Sequence, residues 1–101
     1  MSWEVLFHPL VFDEDFKKVD RSQQQKIVKA IRKKLSIDPK SFGSPLRGQF
    51  HGFWKLRVGD YRVVYKIEED RILVKVIKIG IRRDFEIYED LIRRIPKILD
   101  Y

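Results

Sequence analysis

The stretch FWKLRVGDYRVVYKI, Phe53 to Ile67, limits the possible folds more than any other part of the chain. Two strand-like runs flank Gly59-Asp60, and a leading glycine suits the positive φ of a two-residue hairpin turn. Such a turn sets the register, because loop length decides which residues stand opposite one another. Val58 then faces Tyr61, Arg57 faces Arg62, Leu56 faces Val63, Lys55 faces Val64 and Trp54 faces Tyr65. Opposed residues share a face. One face collects Trp54, Leu56, Val58, Tyr61, Val63 and Tyr65, and reads as core. The other collects Phe53, Lys55, Arg57, Arg62, Val64 and Lys66.

The second face gathers like charges. Arg57 directly across from Arg62 costs a few tenths to about 1 kcal/mol. The plain alternative is a solvated face whose long cationic stems lie on apolar neighbours. Carboxylates, however, would solvate it equally well without repulsion. Cations for phosphates and rings for unstacked bases are the combination that binds RNA. A tight second turn at Glu69-Asp70 would bring Lys75 to this face beside Val64. Lys78, Arg82 and Arg83 extend the charge past the last strand, and Gly80 suits a sharp turn that returns Arg82 over the face.

The flanking segments complete an α+β domain. Ser2 to Phe7 alternates as a first strand, stopped by Pro9. From Asp13 the pattern becomes helical through Phe16 and Val19, and a second helix capped near Asp20 repeats Ile27, Ile31 and Leu35. That helix carries Arg21, Lys26, Lys29, Arg32, Lys33 and Lys34 without an interleaved carboxylate, which marks a solvated face or one that meets phosphates or acids. Ser36 to Gly52 is a connection rich in Pro and Gly, with a short strand around Arg47 to Phe50. Strands follow at 53–58, 61–67 and 72–79. Asp84 caps a last helix with the stripe Ile87, Leu91 and Ile95, flanked by Tyr88, and Pro96 ends it. The order is β-α-α-β-β-β-α: an antiparallel sheet with an N-terminal helical hairpin, a C-terminal helix and one partly open face, in a single domain over 1–101.

Bulk composition narrows the function. No cysteine is present, which removes disulfides and thiolate metal sites, and His8 and His51 alone make a histidine metal site a poor expectation. No apolar run reaches membrane-spanning length, so a soluble cytoplasmic protein is expected. A net charge of +7 points to a polyanion or an acidic partner.

The segments LRG…GFWKLRVGDYRVVYKI (46–67) and VIKIGIRRDFEIY (76–88) resemble the RelE family of the RelE/ParE toxin–antitoxin superfamily, and the resemblance runs along essentially the whole chain. It implies a small basic endoribonuclease that cuts mRNA in the ribosomal A site, needs no cofactor or metal, and is silenced by an acidic or amphipathic antitoxin. The family's residues that act on the scissile phosphate match Lys55, Arg62, Arg82 and Tyr88 here, with Arg57 at a further basic position. Phe53, Arg57, Lys66, Lys75, Lys78, Arg83, Lys26, Lys29 and Lys33 are the expected RNA-binding set. The chain departs from the family pattern at Phe53, where well-studied members carry a second lysine, and at Ile81, where many carry histidine after the glycine. Phe53 is suited to stack on a base. The same fold also serves ParE-like toxins that poison DNA gyrase, and a non-catalytic RNA- or protein-binding domain is the third reading.

Overall fold

The computed structural model of the chain describes residues 2–81 and 86–98. Strands β1 (Glu4–Phe7), β2 (Ser44–Pro45), β3 (Phe53–Val58), β4 (Tyr61–Glu68) and β5 (Leu73–Ile81) form one sheet in the order β1-β5-β4-β3-β2. The antiparallel meander β3-β4-β5 is the one expected, and β1 joins it parallel to β5. The helices are α1 (Pro9–Asp13), α2 (Arg21–Ile37), α3 (Pro39–Phe42) and α4 (Glu86–Ile98).

Both faces of the sheet carry apolar packing. On one, Val11, Phe16, Ile27, Ile31 and Leu35 from the N-terminal helical segment bury Leu56, Val63, Tyr65, Val74, Val76 and Ile79. This is the face that the hairpin register assigns to the core. Its long helix, α2, starts where Asp20 accepts from the Gln23 amide at 2.9 Å, a side-chain cap that satisfies one orphan donor. On the other face, Ile87, Leu91 and Ile98 of α4 pack on Val64 and Ile77, with Leu46 beside them. The face expected to be partly open is thus partly roofed by α4.

Several local expectations change. The first helix begins at Pro9 rather than Asp13, with the His8 Nδ1 accepting from the Leu10 amide at 3.1 Å. Proline fits a first helical position, where its missing N–H is not needed. The helix then breaks into a 3-10 turn at Asp15–Lys18. The short strand expected at 47–50 is a 3-10 turn, Gly48–Phe50, and the edge strand lies earlier, at Ser44–Pro45. Pro96 lies inside α4 and does not end it, and Ile98 is buried beyond it. The expected cap at Asp84 lies outside the described residues.

The second turn is not tight. A 3-10 turn, Glu69–Arg71, leads into Ile72 at φ 52, and the β4–β5 register shifts between Val64 and Tyr65. Lys75 therefore stands opposite Lys66, and Lys78 takes the place opposite Val64. Beyond Val76, β1 has ended, and side chains serve the outer edge of β5 instead. The Ile79 amide donates to Asp15 Oδ2 at 2.9 Å, and the Ile77 carbonyl accepts from Arg94 Nη1 at 3.0 Å.

Candidate functional site

The site grows from the first hairpin. Gly59 adopts φ 57, and the strands pair as the turn requires, from Val58 opposite Tyr61 to Phe53 opposite Lys66. Lys55, Arg57, Arg62 and Lys66 consequently share the α4 side of the sheet with Val64 and Phe53. Arg62 has Arg57 across from it on β3 and Gly80 on β5.

Gly80 explains how α4 comes close. A Cβ at this position would lie 3.1 Å from Ile87 Cδ1, tighter than ordinary packing, so the bare glycine lets Ile87 sit there without giving way. Gly80 is not among the positive-φ residues, so it serves close packing and not the sharp turn expected of it. The next residue of α4, Tyr88, then reaches Arg62. Arg62 Nη1 donates to the Tyr88 hydroxyl at 2.8 Å, and the guanidinium carbon lies 5.4 Å from the ring centroid. The Phe50 ring packs on Tyr88 at 5.6 Å between centroids.

Arg62 Nε is buried and has no hydrogen-bond partner among the described residues. An unmet buried donor costs about 1–3 kcal/mol, more when charged. Lys55 is half-buried diagonal to Arg62, about 7–8 Å away by strand geometry. Arg57 is exposed. Lys66 is half-buried with its Nζ 5.6 Å from the Phe53 ring centroid, an arrangement of cation over aromatic face. Together these groups form a basic patch with aromatic neighbours on the α4 side of the sheet, in which the Arg62 Nε has no partner among the described residues. Such an arrangement can hold a phosphodiester and place charge where a transition state gains it.

Other members of the expected set are tied up in ion pairs or lie elsewhere. Lys75 is buried and pairs with Glu68 at 3.0 Å. Lys78 is buried and pairs with Asp15 at 2.7 Å. Both charges are answered by carboxylates and both lysines are buried, so neither belongs to an exposed cationic surface. Lys26, Lys29 and Lys33 are exposed on α2, whose buried residues cover the opposite face of the sheet from Arg62 and Tyr88. They form a separate basic surface. Arg82 and Arg83 lie outside the described residues. Phe50, Asp15 and Arg94 went unread in the sequence: Phe50 sits in a connection without periodicity, and Asp15 and Arg94 meet only across 79 positions of chain.

Among the described residues, no group of His, Cys, Asp or Glu is placed to hold a metal ion, and no helix is long and apolar enough to cross a membrane.

Comparison with known proteins shows the family. Residues 5–84 match the family described as ParE toxin of type II toxin-antitoxin system, parDE. The chain is 32% identical over 90 residues to the mRNA interferase toxin RelE of Escherichia coli (strain K12), covering 85% of this chain and 95% of that one. In three dimensions it is similar to the toxin–antitoxin complex RelBE2 from Mycobacterium tuberculosis, at a TM-score of 0.76 and 26% identity, covering 83% of this chain and 95% of that one. The isolated E. coli RelE toxin shares the fold at a TM-score of 0.62 and 21% identity, covering 93% and 99%. With a family match over most of its length and a relative of this identity, the chain is a RelE-family toxin of the RelE/ParE superfamily of type II toxin–antitoxin systems.

Proposed function

We propose that this toxin is a ribosome-dependent endoribonuclease that cuts mRNA in the A site. The observation that carries the reading is the Arg62 guanidinium held against the Tyr88 hydroxyl, with its Nε lacking an acceptor among the described residues. A phosphate oxygen is the acceptor that a guanidinium fork meets best. The name of the E. coli relative, an mRNA interferase, supports the same substrate.

The reaction is attack by an RNA 2′-oxygen on the adjacent phosphorus. The new P–O2′ bond forms as the P–O5′ bond breaks, giving a 2′,3′-cyclic phosphate and a 5′-hydroxyl. Arg62 neutralises the charge that builds on the non-bridging oxygens. Lys55 and Tyr88 stand for the removal and orientation of the 2′-proton, and Arg82 for delivering a proton to the leaving 5′-oxygen. Phe53 offers a ring for a neighbouring base, and Arg57 and Lys66 attract the strand. The ribosome supplies the in-line geometry, so free RNA is a poor substrate. Action on ribosomes places the protein in the cytoplasm.

The partner is a cognate antitoxin, in line with the RelBE complexes among the similar structures. Its acidic or amphipathic segment would meet Lys26, Lys29 and Lys33 on α2, and a further part would reach the patch around Arg62. The family description as ParE favours a second reading, a gyrase poison that cuts no RNA.

The test is cleavage of an mRNA held in the A site of purified ribosomes, with the product ends identified. Arg62→Ala is expected to lose about 10²–10³-fold in rate while remaining folded. Full activity in Arg62→Ala, Lys55→Ala and Arg82→Ala together would sink the assignment. Intact mRNA with inhibited gyrase supercoiling would select the second reading.

A further inference from the structure

A buried ionic cluster at the end of β5 takes no part in the steps above. The Asp15 side chain is fully buried, with a side-chain exposure of 0%. Its Oδ1 accepts from Lys78 Nζ at 2.7 Å and Arg94 Nη2 at 2.9 Å, and its Oδ2 from the Ile79 amide at 2.9 Å and Arg94 Nη1 at 2.8 Å. Arg94 also donates to the Ile77 carbonyl at 3.0 Å and to Glu14 Oε1 at 3.1 Å. Lys78 lies 3.6 Å from Asp90 of α4. The cluster therefore ties α4 to β5 and to the 3-10 turn through two of its residues, Asp90 and Arg94.

Burying charges is costly, and well-packed apolar side chains often replace a buried ion pair without loss of stability. What apolar contacts do poorly is fix the rotation and rise of a helix. Ile87, Leu91 and Ile98 hold α4 down on the sheet, but a stripe of aliphatic side chains tolerates sliding. A bidentate guanidinium–carboxylate pair does not, because both N–H vectors must meet both oxygens in one plane. Arg94 is six residues beyond Tyr88, about 9 Å along the helix. Setting the rotation and rise at Arg94 sets where the Tyr88 hydroxyl arrives.

We infer that Asp15 and Arg94 are positioning residues for the reaction: their buried bidentate pair seats α4 so that the Tyr88 hydroxyl meets Arg62. The inference concerns Tyr88 geometry. It rests on the nuclease reading only for its kinetic readout.

The experiment uses the full chain and Arg94→Lys, which keeps the charge and removes the fork. In solution, the Tyr88 ring signal of tyrosine-labelled protein is assigned by its loss in Tyr88→Phe. It is expected to move in Arg94→Lys toward its position in Arg62→Ala. On ribosomes, Arg94→Lys is expected to lower kcat about tenfold or more with little change in KM, because small misplacements of a reacting group are expensive. In a Tyr88→Phe background the same substitution should then cost almost nothing further, since its effect runs through the hydroxyl. Losses that multiply in the double variant, or an unmoved Tyr88 signal, overturn the inference. A moved signal in a protein that cuts no RNA leaves the inference standing and removes the nuclease reading. If Arg94→Lys does not fold, Asp15→Asn, which keeps the shape but leaves the Arg94 fork only one oxygen to meet, carries the same readouts with the same signs. A folded Asp15→Asn with Tyr88 unmoved overturns the inference.

Discussion

The guanidinium of Arg62 spends one N–H on the hydroxyl of Tyr88, 2.8 Å away, and keeps its buried Nε without an acceptor among the described residues. Arg57, directly opposite, adds a second like charge. The fold therefore carries a local cost at the position where the proposed chemistry needs a donor. Arg62→Leu is expected to raise stability by about 1 kcal/mol, a few degrees in the unfolding midpoint, while abolishing cleavage. Thermal unfolding beside the ribosome assay checks it. A variant that loses both stability and activity would mean that Arg62 is structural.

Gly80 offers a second prediction. A methyl group here meets Ile87 Cδ1 at 3.1 Å and Cγ1 at 3.2 Å. Gly80→Ala is expected to cost about 1–2 kcal/mol through overpacking and to lower cleavage as α4 lifts. Adding Ile87→Val removes the nearest carbon and should recover part of the cleavage rate, while its own lost methyl keeps stability below the wild-type value. Urea unfolding and cleavage rates of the single and double variants decide it.

Phe50 offers a third, because its ring is the aromatic neighbour of Tyr88 at 5.6 Å. Phe50→Leu is expected to cost about 1 kcal/mol in ring–ring contact and to slow cleavage, while Phe50→Tyr keeps the ring and most of the rate. Equal rates in both variants would show that the ring is immaterial to the site.

His8 makes stability depend on pH. Burial first, then the Arg94 charge, hold its pKa below the ordinary value, with Asp15 opposing. The unfolded chain thus takes up the proton before the folded one does. The contribution of His8 is complete above the unfolded value, about 6.5, and falls as pH drops from there toward the folded value. Protonation also removes the Nδ1 acceptor that caps α1. Asparagine caps helices without titrating in this range, so His8→Asn should flatten the midpoint between about pH 7 and pH 5. Unfolding curves across that interval test the slope.

The sequence made some of this legible and hid the rest, for physical reasons. A two-residue turn with glycine leaves one register, so the pairing from Val58–Tyr61 to Phe53–Lys66 could be written down in advance. Asp20 and the spacing of Ile27, Ile31 and Leu35 gave α2 in the same way. Lys75 stays on the expected face but stands opposite Lys66 and not Val64, because the second turn takes up residues 69–72, with Ile72 in the left-handed region; the shift at Val64 and Tyr65 then brings Lys78 opposite Val64. Lysines on a strand read as solvent-facing, and Lys78 departs from that only because Asp15, 63 positions away, meets it in the interior. Gly80 misled in a different way. Freedom of the backbone and absence of a side chain are one property in the sequence, and only the packing of Ile87 says which of them is used. In the candidate site, Arg62 meets Tyr88 from strand and helix and Lys55 shares their face of the sheet, whereas the support around them, Phe50 and the Asp15–Arg94 pair, depends on contacts that local periodicity does not encode.

The outer margin of β5 carries one more consequence. An uncovered strand margin with idle amides and carbonyls recruits strands from neighbouring chains and seeds aggregation. Past Val76, the Ile79 amide and the Ile77 carbonyl are already engaged by Asp15 and Arg94, so an incoming strand would have to pull a buried carboxylate and guanidinium apart before it could pair. That corner of the sheet is closed to growth by charge, with neither a proline nor a covering strand.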